Sequence, residues 1–152
     1  MMISDERIRH MHGVAEWMYA HAEDYGCFNK EEMYLLGLIH DIGYIYGEKY
    51  HEQLGGQLLG QDAYYGQLIF AHGLSPQEYM EYYGVNEEEI PCEMVLLWTA
   101  DMRVDLSGKD VGYEKRLMDI KKRYGSDSEE YVRCRDTMTW LEKREAFVFL
   151  GD

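Results

Sequence analysis

Histidine and aspartate side chains follow two of the most apolar segments of this sequence. His40 and Asp41 are adjacent and come directly after the segment 33–39, and Asp101 comes directly after the segment 94–100. A buried carboxylate is costly unless it is paired or bound to a metal. For His40 and Asp41 alone, an aspartate that caps the next turn beside a core histidine explains the sequence equally well.

Three further histidines also lie beside apolar or small residues. His10 falls on the apolar stripe of a predicted first helix, His51 precedes a Gly-Gly pair, and His72 ends an apolar segment. Each of these histidines alone is more simply explained as a core or surface residue. Together with His40, Asp41 and Asp101, they predict a metal centre. Imidazole and carboxylate suit iron, manganese, zinc or magnesium, and a set without a thiolate argues against a structural zinc site.

The elements that must position these residues are helices. Apolar residues recur at three- and four-residue steps, and N-cap residues with a glutamate three positions later mark helix starts at Asn29, Ser75, Asn86 and Ser126. No segment shows the period-two alternation of a strand. We therefore predict an all-α fold, a compact bundle of about seven helices. Helices are expected over about 5–25, 51–65, 67–72 and 111–124, and after each of the four N-caps.

Length and composition are those of one globular domain. The chain has 152 residues, of which 46% are hydrophobic and 29% charged, and we expect residues 1–152 to form a single domain. The net charge of −14 argues against a nucleic-acid partner, which requires clustered Lys and Arg. Without a signal-peptide core or a membrane-length apolar run, a cytoplasmic protein with no membrane partner is expected.

The three cysteines, Cys27, Cys92 and Cys134, are widely spaced in the sequence. We therefore predict that each is a small buried residue of the core.

The order of these residues resembles the ligand signature of the HD-domain superfamily of metal-dependent phosphohydrolases. The matching segments are Arg9-His10-Met11-His12-Gly13-Val14-Ala15, Leu38-Ile39-His40-Asp41-Ile42-Gly43 and Thr99-Ala100-Asp101. His51 and His72 match the additional histidines of dinuclear members. The resemblance covers about residues 7–105, which leaves C-terminal helices over about 110–150.

The resemblance implies a helical bundle that holds two divalent metal ions. One ion would be held by His10, His40, Asp41 and Asp101, and a second by Asp41 as a bridge together with His51 and His72. The implied catalytic pair is His40 and Asp41, beside a metal-bound hydroxide that attacks phosphorus. The implied substrate is a small anionic phosphorylated molecule, with a nucleoside monophosphate or a dinucleoside polyphosphate as first choices. The donor set does not choose among Fe, Mn, Zn, Ni and Mg.

Tyr44 departs from several branches of the family, which place a lysine at that position to hold phosphate. Another cation must therefore contact the substrate phosphate, and we predict Arg103, Lys49 and Arg9. Arg103 comes first, because it is closest in sequence to the last aspartate of the signature. The basic residues over 115–123 are predicted to form the solvent face of an amphipathic helix.

Two other functions are compatible with the same donor set. A sensory or binding module would keep the metal and respond to ligand occupancy, although such a module is expected to lose a donor and this sequence has the complete set. The other alternative is a di-iron oxygenase, since that chemistry also occurs on the fold of the HD-domain superfamily. The sequence has no Gly-Tyr-Pro after His72, which argues against a cyclic dinucleotide phosphodiesterase.

Overall fold

The computed structural model describes residues 3–58, 60 and 63–150, the last five as backbone only. Within these residues the chain forms eight α-helices and no β-strand, which confirms the all-α prediction. The helices are α1 (Asp5–His21), α2 (Lys30–Ile39), α3 (His51–Leu58), α4 (Tyr64–Ala71), α5 (Pro76–Tyr83), α6 (Cys92–Arg103), α7 (Gly112–Tyr124) and α8 (Glu129–Leu150). Short 3-10 helices span Glu23–Tyr25, Ile42–Tyr46 and Glu87–Glu89. None of the described helices has the length and apolar character that crossing a bilayer requires.

Helices α1 and α2 pack side by side and bring the end of α2 into the bundle. Helix α2 begins after Asn29, whose side chain accepts a hydrogen bond from the backbone N–H of Glu32 at 3.1 Å, as predicted. A Cβ on Gly37 would lie only 2.7 Å from Cα of Ala15, so the two backbones are in close contact. His40, which follows α2, is therefore held next to α1.

Helix α6 lies at the centre of the core. Every residue from Met94 to Met102 is buried, and the helix contacts α1, α2, α7 and α8. A helix that is apolar nearly all round lies in the interior of a domain. Because α6 is enclosed in this way, Asp101 in its last turn is held within the bundle.

The prediction of two helices in this part of the chain is confirmed, but their predicted bounds, 51–65 and 67–72, are wrong, and residues 59, 61 and 62 lie outside the described part of the chain. The chain instead forms α3 and α4, which pack on each other across a reversal. Gly60 in this reversal has a φ of +83°, a conformation that favours glycine. A Cβ on Gly56 would lie 2.7 Å from Cβ of Phe70. Glycines therefore allow both the reversal and the close contact, which helical periodicity alone does not reveal.

Two predicted helix starts also differ from the structure. Ser126 does not cap α8; the Oγ of Ser128 accepts the hydrogen bond from the backbone N–H of Tyr131 at 3.1 Å. Asn86 and Glu89 form the predicted capping box, but it opens a 3-10 helix and α6 begins only after it. Residue types locate a cap to within a few positions, while the packing of each helix on the core sets the register.

Candidate metal centre

The six predicted metal ligands come together at one place in the bundle. They are His10 from α1, His40 and Asp41 from the end of α2, His51 from the start of α3, His72 from the end of α4 and Asp101 from α6. They form two groups, in each of which one donor atom per residue lies within 4.8 Å of the others. All except His51 are buried. Their roles as ligands remain a prediction, but the convergence on which that prediction depends is present.

In the first group, two imidazole nitrogens face two carboxylate oxygens. His10 Nε2 lies 2.8 Å from Asp101 Oδ1 and 3.6 Å from Asp41 Oδ2. His40 Nε2 lies 3.3 Å from Asp41 Oδ2 and 3.4 Å from Asp101 Oδ1. Two nitrogen and two oxygen donors thus surround a small volume, a set that suits a divalent transition metal.

The second group shares one residue with the first. His51 Nε2 lies 3.4 Å and His72 Nε2 lies 3.3 Å from Oδ1 of Asp41. The other oxygen of Asp41, Oδ2, faces the first group. Asp41 therefore presents one carboxylate oxygen to each group, which is the geometry of a bridging ligand.

Backbone carbonyl oxygens hold the other ring nitrogen of each histidine. Nδ1 faces a carbonyl at distances from 2.6 to 3.3 Å in four pairs: His10 with Asp105, His40 with Gly37, His51 with Glu48 and His72 with Ile69. An Nδ1–H that donates to such a carbonyl leaves the Nε2 lone pair free, the state in which imidazole binds metals. The Nε2 atoms of His40 and His72 are buried without a hydrogen-bond partner. Lone pairs that face carboxylate oxygens repel them unless a cation lies between, so these residues fit divalent metal ions.

The two carboxylates stay ionised despite their burial. Burial raises the pKa of Asp41, but the neighbouring imidazoles, above all His40, outweigh it and hold the pKa well below its usual value. His10 and His40 lower the pKa of Asp101 in the same way. Burial disfavours a charge on His40, but the two carboxylates outweigh it and raise its pKa to about 10. Without a metal ion, His40 therefore carries a proton that a bound cation replaces.

A cavity of about 290 Å³ opens beside the two groups. Asp41, His51, His72 and Asp101 form part of its wall. Tyr44 also lines it, with its ring centre 4.1 Å from that of His51. An aromatic ring therefore stands beside the second group.

Arginines surround this cavity. The four that line it are Arg7, Arg116, Arg123 and Arg133. The buried Arg7 donates to Oδ2 of Asp41 at 3.1 Å, while Arg123 and Arg133 pair with glutamates near the surface at 3.6 and 3.2 Å. Arg116 donates through Nε to the backbone oxygen of Asp101 at 3.2 Å. Among the described residues, no carboxylate forms an ion pair with Arg116, so its charge is available to a ligand.

The cations predicted for the substrate phosphate do not line this cavity. Arg103 pairs with Asp110 at 3.1 Å, Arg9 is exposed on α1, and Lys49 lines an adjoining cleft. The structure therefore does not place Arg103 where the prediction of a phosphate contact expects it. Two positions along an α-helix rotate a side chain by about 200°, so nearness in sequence to Asp101 directs Arg103 away from it.

Arg116 was missed because it falls in the stretch predicted to be a solvent face. Tyr113 and Ile120, which lie three residues before and four residues after it, are both buried. Residues at these spacings share one face of a helix. The spacing of Tyr113, Arg116 and Ile120 therefore contained the signal, which the cluster of lysines around it obscured.

Comparison with known families agrees with this geometry. A family model described as HD domain matches residues 7–135, a range that contains all six predicted ligands and the whole of α7. The chain belongs to the HD domain family. HD domains bind divalent metals and most of the family are metal-dependent phosphohydrolases, and this HD protein has two groups of donors that could hold such ions. A search of curated proteins and a search of solved structures each found no match to this HD protein.

Proposed function

We propose that this HD protein is a metal-dependent hydrolase of phosphate esters or anhydrides that acts on a small, nucleotide-like substrate. The observation that carries the proposal is the placement of Asp41. One of its oxygens faces the group of His10, His40 and Asp101, the other faces His51, and both groups border an arginine-lined cavity. Two-metal hydrolases hold their ions about 3.5–4 Å apart to clamp a phosphoryl group.

The protein contributes fixed geometry to this chemistry. When bound, divalent cations supply Lewis acidity towards phosphoryl oxygens and lower the pKa of a coordinated water. The carbonyls of Gly37 and Ile69 hold the rings of His40 and His72, each at 2.6 Å, and Arg7 holds the bridging carboxylate. Groups fixed in this way need little reorganisation as charge develops in the transition state.

The arginines supply the recognition of phosphate. A guanidinium is a planar fork that can bind phosphate oxygens through two hydrogen bonds. In a chain with a net charge of −14, six carboxylates line the cavity beside the four arginines, so bound cations together with Arg116 would supply the positive charge that attracts an anionic substrate. Arg116 replaces Arg103 as our choice for the main phosphate contact, since it lies beside Asp101 without an ion-pair partner among the described residues.

The size of the cavity favours a small substrate. Its volume of about 290 Å³ is at the lower end of the range of about 300–1,000 Å³ for ligand pockets. A neighbouring cleft of about 500 Å³ shares Tyr44, His51 and Tyr124 with the cavity. These rings provide an aromatic surface for the leaving group of the hydrolysis, such as a nucleoside. A nucleoside monophosphate meets these requirements, whereas a dinucleoside polyphosphate would need the neighbouring cleft as well.

The proposal is tested by metal analysis followed by an assay of phosphate release. Purified protein is analysed for bound elements, then assayed with nucleoside monophosphates and dinucleoside polyphosphates in the presence of Mn²⁺, Fe²⁺, Ni²⁺, Zn²⁺ or Mg²⁺. We expect turnover with at least one metal, and its loss in Asp41→Ala. Metal-loaded protein that hydrolyses none of these substrates would contradict the proposal. Metal-dependent ligand binding without turnover would indicate a sensory module, and substrate-dependent oxygen consumption an oxygenase.

The role of Arg116 is tested by its alanine variant in the same assay. Loss of a charged hydrogen bond costs about 1.5–3 kcal/mol, so we expect kcat/KM to fall by roughly 10- to 150-fold with bound metal unchanged. Arg103→Ala is the matched control, because this arginine lies outside the cavity and pairs with Asp110. Equal activity of the two variants would show that Arg116 does not contact the substrate.

A further inference from the structure

Two cysteines that are distant in sequence meet at the edge of the core. Cys27 lies in the turn before α2, and Cys92 is the first residue of α6, 65 positions later. Their sulfur atoms are 2.9 Å apart, which is closer than the ordinary non-bonded contact of two sulfurs. Both are free thiols, and so is the third cysteine, Cys134, which lies in α8.

The surroundings give the two sulfurs different roles. Cys27 is only 4% exposed, and its backbone N–H donates to the carbonyl of Ala22 at 2.9 Å, so its position is well defined. Cys92 is half-buried, and its thiol donates to Oε1 of Glu93 at 2.8 Å. Cys92 is thus the thiol that an external reagent can reach, and Glu93 is placed to accept its proton.

We propose that Cys27 and Cys92 are a modification site that closes to a disulfide under oxidising conditions. The oxidant is a small-molecule disulfide such as oxidised glutathione. Cys92 passes its proton to Glu93, and its thiolate attacks one oxidant sulfur, which forms a mixed disulfide and releases one small thiolate. That thiolate takes the proton of Cys27, whose sulfur then attacks the Cys92 sulfur and releases the second small thiolate, which takes the proton held by Glu93. Two protein thiols are oxidised by two electrons while one small disulfide is reduced to two thiols.

A metal site is a weaker interpretation of the same residues. Cys27, Cys92 and Glu93 provide only three donors within reach of one another, whereas a structural zinc site uses four. Zinc–sulfur bonds of about 2.3 Å in a tetrahedron would separate the two sulfurs by about 3.8 Å. The observed contact is shorter than that.

Closure of the pair would be slow and would stabilise the fold. Burial raises the pKa of both thiols, so little thiolate is present and we expect closure over hours. The new bond would join the turn before α2 to the first turn of α6, and the opposite ends of these two helices carry His40 and Asp101. A cross-link across a loop of this length restricts the unfolded chain and should raise the unfolding temperature by on the order of 10 °C.

The test is oxidation of the native, metal-loaded protein with excess oxidised glutathione at pH 8.5 for two days. We expect the loss of two of the three thiols by maleimide titration, a mass decrease of two hydrogens, and a cross-linked peptide that contains Cys27 and Cys92. Cys134→Ser should form the same bond. Cys92→Ser should not form it, and its unfolding temperature should be unchanged by the oxidant. Circular dichroism checks that each variant is folded.

Three results would overturn the proposal. The first is that all three thiols persist after this treatment. The second is a stable glutathione adduct on Cys92 that Cys27 never resolves. The third is a zinc content of one equivalent that is lost in Cys92→Ser and retained in His40→Ala. That result would show that the cysteines bind zinc instead.

Discussion

The placement of one carboxylate accounts for the division of the site into two groups. Asp41 is the only described residue that both groups of donors share, so its removal affects both, whereas removal of His72 affects one. We expect about two metal equivalents in the wild-type protein, about one in His72→Ala and none in Asp41→Ala. Elemental analysis after gel filtration measures these values.

His12 provides a matched control for this experiment. It lies two positions from His10, about 200° around α1, and is exposed. His12→Ala should keep the wild-type metal content. Loss of metal from this variant, or retention of metal by Asp41→Ala, would be inconsistent with the two-group arrangement.

The protonation of His40 predicts how the metal-free protein responds to pH. The pKa of His40 rises from 6.5 to about 10 in the folded state, because the attraction of Asp41 and Asp101 outweighs burial. The folded state therefore binds the proton more tightly than the unfolded state does. The resulting stability is fully present below pH 6.5 and is lost as the pH rises towards 10. Between pH 7 and 9, the free energy of unfolding should fall by up to about 1.4 kcal/mol per pH unit.

Urea unfolding at a series of pH values measures this effect. In metal-free His40→Gln, the free energy of unfolding should fall less steeply over the same pH range. His51 adds a smaller fall in the same direction, because Asp41 raises its pKa against the effect of burial. The metal-loaded wild-type protein should lack the fall, since a coordinated His40 carries no proton at Nε2. Parallel curves for all three samples would show that His40 is not protonated in the metal-free protein.

At the scale of elements, close backbone contact between the turn after α2 and the start of α3 joins the two groups. A Cβ on Gly43 would lie 1.8 Å from the carbonyl oxygen of His51 and 2.8 Å from the backbone nitrogen of Gly55. Any side chain at Gly43 must therefore push α3 away from Asp41. Only glycine leaves enough space for this backbone contact, which explains the glycine at position 43, two residues after Asp41.

Gly43→Ala should therefore reduce both stability and metal content. Overpacking of this kind costs about 1–3 kcal/mol, and displacement of His51 should remove about one metal equivalent while the first group keeps its ion. Gly26→Ala is the control. Its Cβ would meet nothing within 4 Å, but its φ of +80° is strained for alanine, so it should cost about 1–2 kcal/mol with the metal content unchanged. If both variants kept full metal content, the close contact would not be needed for the second group.

At the scale of the whole molecule, the candidate metal centre links helices from distant parts of the chain. Its donors come from α1, α2, α3, α4 and α6, so bound ions should favour the folded state strongly. At a free metal concentration about 1,000 times Kd, the stabilisation is about 4 kcal/mol. Removal of metal by a chelator should then lower the unfolding temperature by roughly 10 °C, measured by differential scanning calorimetry. The Asp41→Ala variant should show no effect of the chelator.

Local signals in the sequence determined much of the fold and the six donors. Helical periodicity and the cap at Asn29 involve residues within about four positions of each other, so they could be predicted without the tertiary structure. The six candidate donors could be singled out because charged and imidazole groups beside apolar segments are costly without a partner, and their roles as ligands stay a prediction. The wrong prediction over 51–65 arose where glycines reversed the chain, a feature without a periodic signal.

Only the tertiary structure decided which residues surround the site. Arg116 lies beside Asp101, and Cys27 lies beside Cys92, because α6 packs against α7, α2 and the 3-10 helix Glu23–Tyr25, not because of any spacing in the sequence. Arg103 is close to Asp101 in sequence but pairs elsewhere, since rotation around a helix separates near neighbours. Sequence spacing determines contacts along one helix, whereas helix packing determines contacts between helices.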